Sequence, residues 1–372
     1  MASPLPTHHR ALVLESISAG FKLKTLPVPL PTPGSAIIHI AASGALSYFH
    51  TLYSGSLPQY TFPTPLTGGF SAIGHITSLG PDATILSPGQ LVFIDCVIRA
   101  RDSPSSLFLS GIHSGSEAGT KKLMREVWRD GKLAEYVRAP LENCIPLDET
   151  RLCEELGYSL RDLMYMCYLL VPYGGLRDIK IEPGETVVVC PATGGFGSAG
   201  VMVAVAMGAR VIGLGRDEGK LMKLKEHVER GTPGASVETV RVSGDVKADT
   251  DAVAAFGTID AVLDLSPHGA AKSTHLRSVV NALRRNGRCS LMGMAEDIMP
   301  AWKVVGSNIS FRGKLMYERD DILQFIKMLE RGMFPRGKDF VTTKAFSLEN
   351  WKEGFETAAE YIGVGQTVVF TP

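Results

Sequence analysis

The chain has 372 residues, and its 38 Lys plus Arg are balanced by 38 Asp plus Glu. That length suits two domains of ordinary size, and the balanced charge leaves no excess of cations to neutralise a nucleic-acid backbone or an anionic membrane, so neither is expected as a partner. Six cysteines scattered without a C-x-x-C pair read as reduced thiols, and Met1 to Arg10 lack the basic start and apolar stretch of a secretory signal, so a cytoplasmic setting is expected.

Up to about residue 150 the chain is rich in Val, Ile, Leu, Thr, Pro and Gly. Short runs such as Ala36-Ile37-Ile38-His39-Ile40-Ala41 and Gln90-Leu91-Val92-Phe93-Ile94-Asp95 are bounded by Pro33-Gly34 and Pro88-Gly89, which predicts an all-β region. Arg101 to Gly131 is polar and turn-rich, a long loop with some helix, before a strand pattern resumes at Lys132–Arg138. From about residue 160 apolar runs alternate with helical stretches, the signature of βαβ units and a parallel sheet. Strand signals begin at Thr186, Arg210, Val237, Ala261 and Cys289. Helices are expected around Asp320–Arg331 and after Phe346-Ser347-Leu348-Glu349, and a closing strand at Gln366–Phe370. Thr186 to Ala209 carries no charge, but Pro191 and four glycines interrupt it near its start, so it reads as strand, turn and helix rather than a membrane span.

The run Thr186-Val187-Val188-Val189-Cys190 leads into Pro191-Ala192-Thr193-Gly194-Gly195-Phe196-Gly197 and then an apolar helix closed by Gly208. Gly194 would let backbone approach a pyrophosphate, Gly197 would let helix and strand pack closely, and the free N–H groups at the helix start would face the anion. Thr193, Gly194, Gly195, Phe196 and Gly197 are therefore the expected phosphate cradle. The next strand ends at Gly215 instead of the acidic residue that binds ribose hydroxyls in NAD sites, and Arg216 and Lys220 follow, which points to the 2′-phosphate of NADPH. Asp217 and Glu218 weaken that argument.

Gly194-Gly195-Phe196-Gly197-Ser198, Ala206-Met207-Gly208-Ala209-Arg210-Val211-Ile212-Gly213 and Glu218-Gly219-Lys220 resemble the cofactor domain of medium-chain dehydrogenase/reductases, the family of alcohol dehydrogenases and quinone oxidoreductases. Thr67-Gly68-Gly69-Phe70-Ser71-Ala72-Ile73-Gly74, Leu86–Val92 and Gly363–Val369 look like the family's GroES-like catalytic domain and terminal strand. The resemblance implies an α/β protein: a β-rich GroES-like domain over 1–160, completed by 315–372, and a Rossmann domain with a doubly wound parallel sheet over 161–314. It also implies a homodimer formed by edge-to-edge pairing of the Rossmann sheets.

Where zinc members of the family place catalytic ligands, this chain has Leu46, Phe70, Ser71 and Cys167, and the cysteines of the structural-zinc lobe are absent between Cys96 and Gly131. A catalytic zinc needs about three protein ligands, so a zinc-independent enzyme without a metal site is expected. The Asn and Asp that zinc-free reductases often carry in this stretch are replaced by Leu46 and Phe49. Without a Lewis acid, hydride transfer suits an activated acceptor: a conjugated C=C, a quinone, a carbonyl or an imine of a small organic molecule. Such a reduction fits a step in secondary metabolism. Tyr48, then His50 and Ser47, are the candidate proton donors or oxygen-holding groups, with Tyr53, Phe70, Ser71, Cys167 and Tyr168 as pocket candidates. Tyr165 is a further one, and Asp264 ends a strand where a parallel sheet meets its cofactor. His8, His9, His39, His75, His113, His227, His268 and His275 stand isolated and suggest no metal site. Two rival readings are a non-redox cyclase or isomerase on the same fold and a catalytically silent NADPH-binding protein.

Overall fold

The computed structural model describes residues 5–296 and 301–372. Two compact units divide the chain: one takes the residues up to Tyr165 together with Thr343–Ile362 and Thr367–Pro372, the other Met166–Thr342 and Gly363–Gln366. The first boundary falls close to the expected residue 160. The second differs, because 315–342 stays with the parallel-sheet unit. There helix Arg319–Glu330 packs on helix Met166–Asp178, with Arg177 paired to Asp321 at 2.9 Å.

In the first unit the central strand Ser35–Ala45 pairs antiparallel with Ala72–Leu79, Tyr136–Pro140 and Gln366–Phe370. Its β-branched residues bury Ile38 and Ile40 against Ile76, Val92, Ile94 and Val137, each such side chain contributing roughly 1.5–3 kcal/mol. The Pro-Gly pairs stand just before strands Ser35–Ala45 and Leu91–Ile94: Gly34 and Gly89 adopt φ of 75° and 85°, and a proline before such a glycine presets the turn. The stretch 101–131, expected as a long loop with some helix, holds the nine-residue helix Ala118–Glu126 and a strand, Leu107–Leu109, that pairs with Val97–Arg99 just before it.

In the second unit six parallel strands lie in the order Val237–Arg241, Arg210–Gly215, Thr186–Cys190, Ile259–Asp264, Leu283–Leu291, Ser310–Gly313. In chain order that is 3-2-1-4-5-6, the doubly wound Rossmann arrangement, whose ligand crevice lies outside the carboxyl ends of the central strands. Strands buried on both faces explain the continuous apolar run Val187-Val188-Val189, all fully buried. The sixth strand, Ser-Phe-Arg-Gly, has no apolar run to announce it, because as an edge strand it has one neighbour and stays largely exposed. Among the described residues no helix is long and apolar enough to cross a membrane.

Candidate functional site

The nucleotide turn follows from glycine chemistry. Helix Gly195–Ala206 starts at Gly194, which caps it in extended conformation with no side-chain bond, and the first intrahelical bond closes from Ser198 N–H to the Gly194 carbonyl. The N–H groups ahead of it have no helical partner and carry the positive end of the helix dipole, which suits a phosphate. A Cβ on Gly194 would meet only open space, whereas one on Gly197 would overlap the Pro191 carbonyl oxygen. The first glycine thus leaves room above the turn, and the second lets the helix sit on the strand end. Tyr168 stacks at a tilt on Phe196 with ring centroids 4.9 Å apart, and a Cβ on Gly195 would sit 2.8 Å from its ring.

Gly215 is buried, and a Cβ there would lie 3.0 Å from Thr193 Cγ2, so tight packing also favours glycine at this place. Arg216 and Lys220 are exposed. Asp217 turns its carboxylate back to accept from Lys220 N–H at 3.0 Å, capping helix Glu218–Gly231.

The expected catalytic segment lies in the first unit, where it divides into partly exposed and buried side chains. Tyr48 precedes the short helix Phe49–Tyr53 and is half-buried, as is Ser47, while His50 is exposed. Burial raises the pKa of the neighbouring Tyr60, an effect that Tyr48 partly offsets. The two rings lie 6.1 Å apart, and Tyr60 meets the edge of His113 at 5.8 Å. His113 Nδ1 accepts from Thr61 N–H at 3.1 Å, and its pKa is lowered, by burial first and by nearby Lys121 in addition. His113 is therefore not isolated. Tyr60 and His113 were missed because they approach Tyr48 only in three dimensions.

Tyr53 is not exposed to a pocket: it is 4 % accessible, and its hydroxyl donates to the Gly111 carbonyl and accepts from Gly69 N–H, both at 2.9 Å. It staples the Gly68-Gly69 turn amid Phe21, Phe49 and Phe355, and burial pushes its pKa up. Tyr165 is likewise fully buried, and Phe70 packs edge-on against Phe49. Leu46 and Phe70 carry no atom that could bind a metal, and the buried Ser71 hydroxyl has no hydrogen-bond partner. In the second unit Cys167 and Tyr168 lie buried on helix Met166–Asp178.

His275 is not isolated either. Cys190, Asp264 and His275, all buried, bring their donor atoms within 4.8 Å of one another. Ser266 occupies the space between two of them: its hydroxyl donates to Asp264 Oδ1 and lies 2.8 Å from His275 Nε2. With that single proton on Asp264, His275 Nε2 donates to Ser266 Oγ. Burial, then Asp264 and Cys289, raise the Cys190 thiol well above its usual range. The cluster lies at the end of strand Ile259–Asp264, is hydrogen-bonded through Ser266, and brings three donor atoms close enough together to hold a metal ion.

Another buried polar group escaped the sequence reading. Lys132 is 2 % accessible, its ammonium lies 2.5 Å from Ser110 Oγ, and burial lowers its pKa to about 8 against the opposing pull of Cys96, Asp95 and Cys144.

Residues 32–149 match the alcohol dehydrogenase GroES-like domain, and residues 195–331 match the zinc-binding dehydrogenase domain. An acryloyl-coenzyme A reductase of Metallosphaera sedula is 27% identical over 66% of this chain and 70% of its own length. An L-threonine 3-dehydrogenase of Ruegeria pomeroyi is 28% identical over 97% of this chain and 98% of its own. The solved structure of a cobalt- and zinc-bound thermostable alcohol dehydrogenase from Pyrobaculum aerophilum shares the fold, with a TM-score of 0.73 at 20% identity over 98% of this chain and 100% of that one. With both domains matched in order and the 3-2-1-4-5-6 sheet behind the glycine turn, the chain belongs to the medium-chain dehydrogenase/reductase superfamily of oxidoreductases.

Proposed function

We propose that this protein is a zinc-independent, NADPH-dependent reductase of an activated small-molecule acceptor. The observation that carries the reading is the start of helix Gly195–Ala206: free N–H groups, open space above Gly194 and a strand contact only glycine permits at 197. A dinucleotide fits there. Exposed Arg216 and Lys220 support the 2′-phosphate, and the acid nearest them, Asp217, is committed to capping the next helix.

Zinc-independence rests on Leu46 and Phe70, which offer no ligand where zinc members of the family bind theirs. A bound nicotinamide would supply a hydride, and without a Lewis acid the acceptor must stabilise the resulting negative charge itself, as a conjugated C=C or an iminium does. One relative is named for acryloyl-coenzyme A, whose double bond is conjugated with a thioester carbonyl. Tyr48 then serves as proton source for the carbanion or enolate, with the Tyr60 ring packed 6.1 Å from its own. The six free cysteines support a reducing, cytoplasmic setting. The exposed edge strand Ser310–Gly313, beside exposed Trp302 and Val305, supports a homodimer, which sedimentation at micromolar concentration tests.

The deciding experiment incubates the purified protein with NADPH or NADH and a panel of enones, enoyl thioesters, quinones and iminium ions, following absorbance at 340 nm and product together. Faster loss of NADPH, stoichiometric with product and insensitive to chelators, is expected. Product without cofactor loss would instead establish a non-redox isomerase or cyclase, and NADPH binding without product a silent binding protein.

A further inference from the structure

Beside the Tyr48–Tyr60–His113 group the first unit holds a recess of about 440 Å³ whose wall is cationic. Lys121, Arg125 and Arg129 line it together with Thr61, Ser114 and Phe62. Lys121 and Arg125 are four residues apart on helix Ala118–Glu126, so both project from one face. The hydroxyls belong to a fixed frame: Thr61 Oγ1 and Ser114 Oγ are 3.0 Å apart, and Ser114 N–H donates to the Thr61 carbonyl at 2.6 Å.

Two observations join this recess to the tyrosines. Thr61 and Ser114 are the chain neighbours of Tyr60 and His113, and the Lys121 charge is close enough to His113 to depress its pKa, after burial the main cause. From Tyr48 to the recess there are thus two ring-to-ring steps, of 6.1 and 5.8 Å.

The charges are available. The Lys121 ammonium has no hydrogen-bond partner among the described residues. Arg125 and Arg129 lean on their sequence neighbours Glu126, at 3.1 Å, and Asp130, at 3.3 Å, in exposed pairs that water and ions screen. Asp130 also accepts from Thr67 N–H at 3.0 Å, which shares its charge, and Glu117 accepts from Ser106 Oγ at 2.5 Å. Two guanidinium forks and an ammonium suit the several oxygens of a phosphate better than a single carboxylate, and Phe62 with the prolines beside it offers an apolar wall to the carbon chain.

We infer that the recess binds a phosphate group carried on the tail of the substrate, with the reacting double bond at Tyr48, so that the enzyme acts on phosphate-bearing, tethered acyl or enone substrates. The inference rests on the reductase reading for the reacting end but not for the binding of phosphate.

Two measurements test it. In the first, inorganic pyrophosphate is titrated by calorimetry into protein saturated with NADPH, which fills the cofactor's own anion site. One site per chain is expected, weakened about tenfold or more in Lys121→Ala/Arg125→Ala and weakened by added salt. Equal binding by the variant, whose fold is checked by its melting temperature, overturns the site. In the second, an enone with a phosphorylated tail is compared with its dephosphorylated form. Preference for the phosphorylated member, expressed in KM, is expected in the wild type and should collapse toward unity in the variant. Equal turnover of the pair by the wild type overturns the substrate assignment. Absence of any NADPH consumption, with variant-sensitive pyrophosphate binding intact, would overturn the reductase reading and leave the phosphate site standing.

Discussion

The nucleotide turn at 192–197 and the tyrosine segment at 48–60 present their chemistry in opposite ways. At the turn the binding groups are backbone N–H donors, and the identities that matter are absences of Cβ at Gly194 and Gly197. Around Tyr48 the groups are side chains, brought from residues 60, 113 and 121 to a short helix start. A backbone site must be written into one contiguous stretch, because successive N–H groups converge only along one turn. A side-chain site can be assembled from anywhere. The two also differ in how they fail, which makes the contrast testable.

The largest effect is expected from Gly197→Val. Its branched side chain cannot coexist with the Pro191 carbonyl, so the helix must leave the strand end. NADPH affinity by calorimetry should fall more than about 100-fold, with stability lowered by at least about 1–3 kcal/mol. Retained affinity would mean that the turn is not the phosphate cradle.

Next comes the pair Tyr48→Phe and Tyr53→Phe, five residues apart. Removing the Tyr48 hydroxyl should lower kcat about 100-fold with little change in melting temperature. Removing the Tyr53 hydroxyl strands Gly69 N–H and the Gly111 carbonyl and should cost about 1–3 kcal/mol of stability, leaving kcat per folded molecule near wild type. If the two variants exchange these phenotypes, the division between partly exposed and buried side chains is wrong.

Lys132 tests the interior of the same unit through pH. Folding lowers its pKa from 10.5 to about 8, so between those values the unfolded chain holds the extra proton and wild-type stability rises with pH. Lys132→Met should therefore be more stable than wild type below pH 8, by up to about 3 kcal/mol, and the advantage should vanish by about pH 10.5. Urea midpoints across that range decide it; a constant difference would refute a buried, titrating amine.

The smallest effect is on cofactor choice. Arg216→Ala should weaken NADPH about tenfold while leaving NADH binding unchanged, measured by fluorescence titration, and equal losses for both would assign Arg216 to a shared contact.

The sequence by itself determined the alternation of strands and helices and the glycine turn of the nucleotide half, because these depend on periodicity and on the identity of neighbours in one stretch, while the fifth strand begins at Leu283, six residues before the expected Cys289. Composition could not separate Tyr48 from Tyr53, since both are tyrosines in one short segment; burial amid Phe21, Phe49 and Phe355 separates them. Nor did it reveal the edge strand Ser310–Gly313, which one neighbouring strand holds without an apolar run. The union of Cys190, Asp264, Ser266 and His275, the burial of Lys132 and the cationic recess at Lys121 and Arg125 were decided only by tertiary structure. These depend on distances between residues far apart in the chain, which no local spacing encodes.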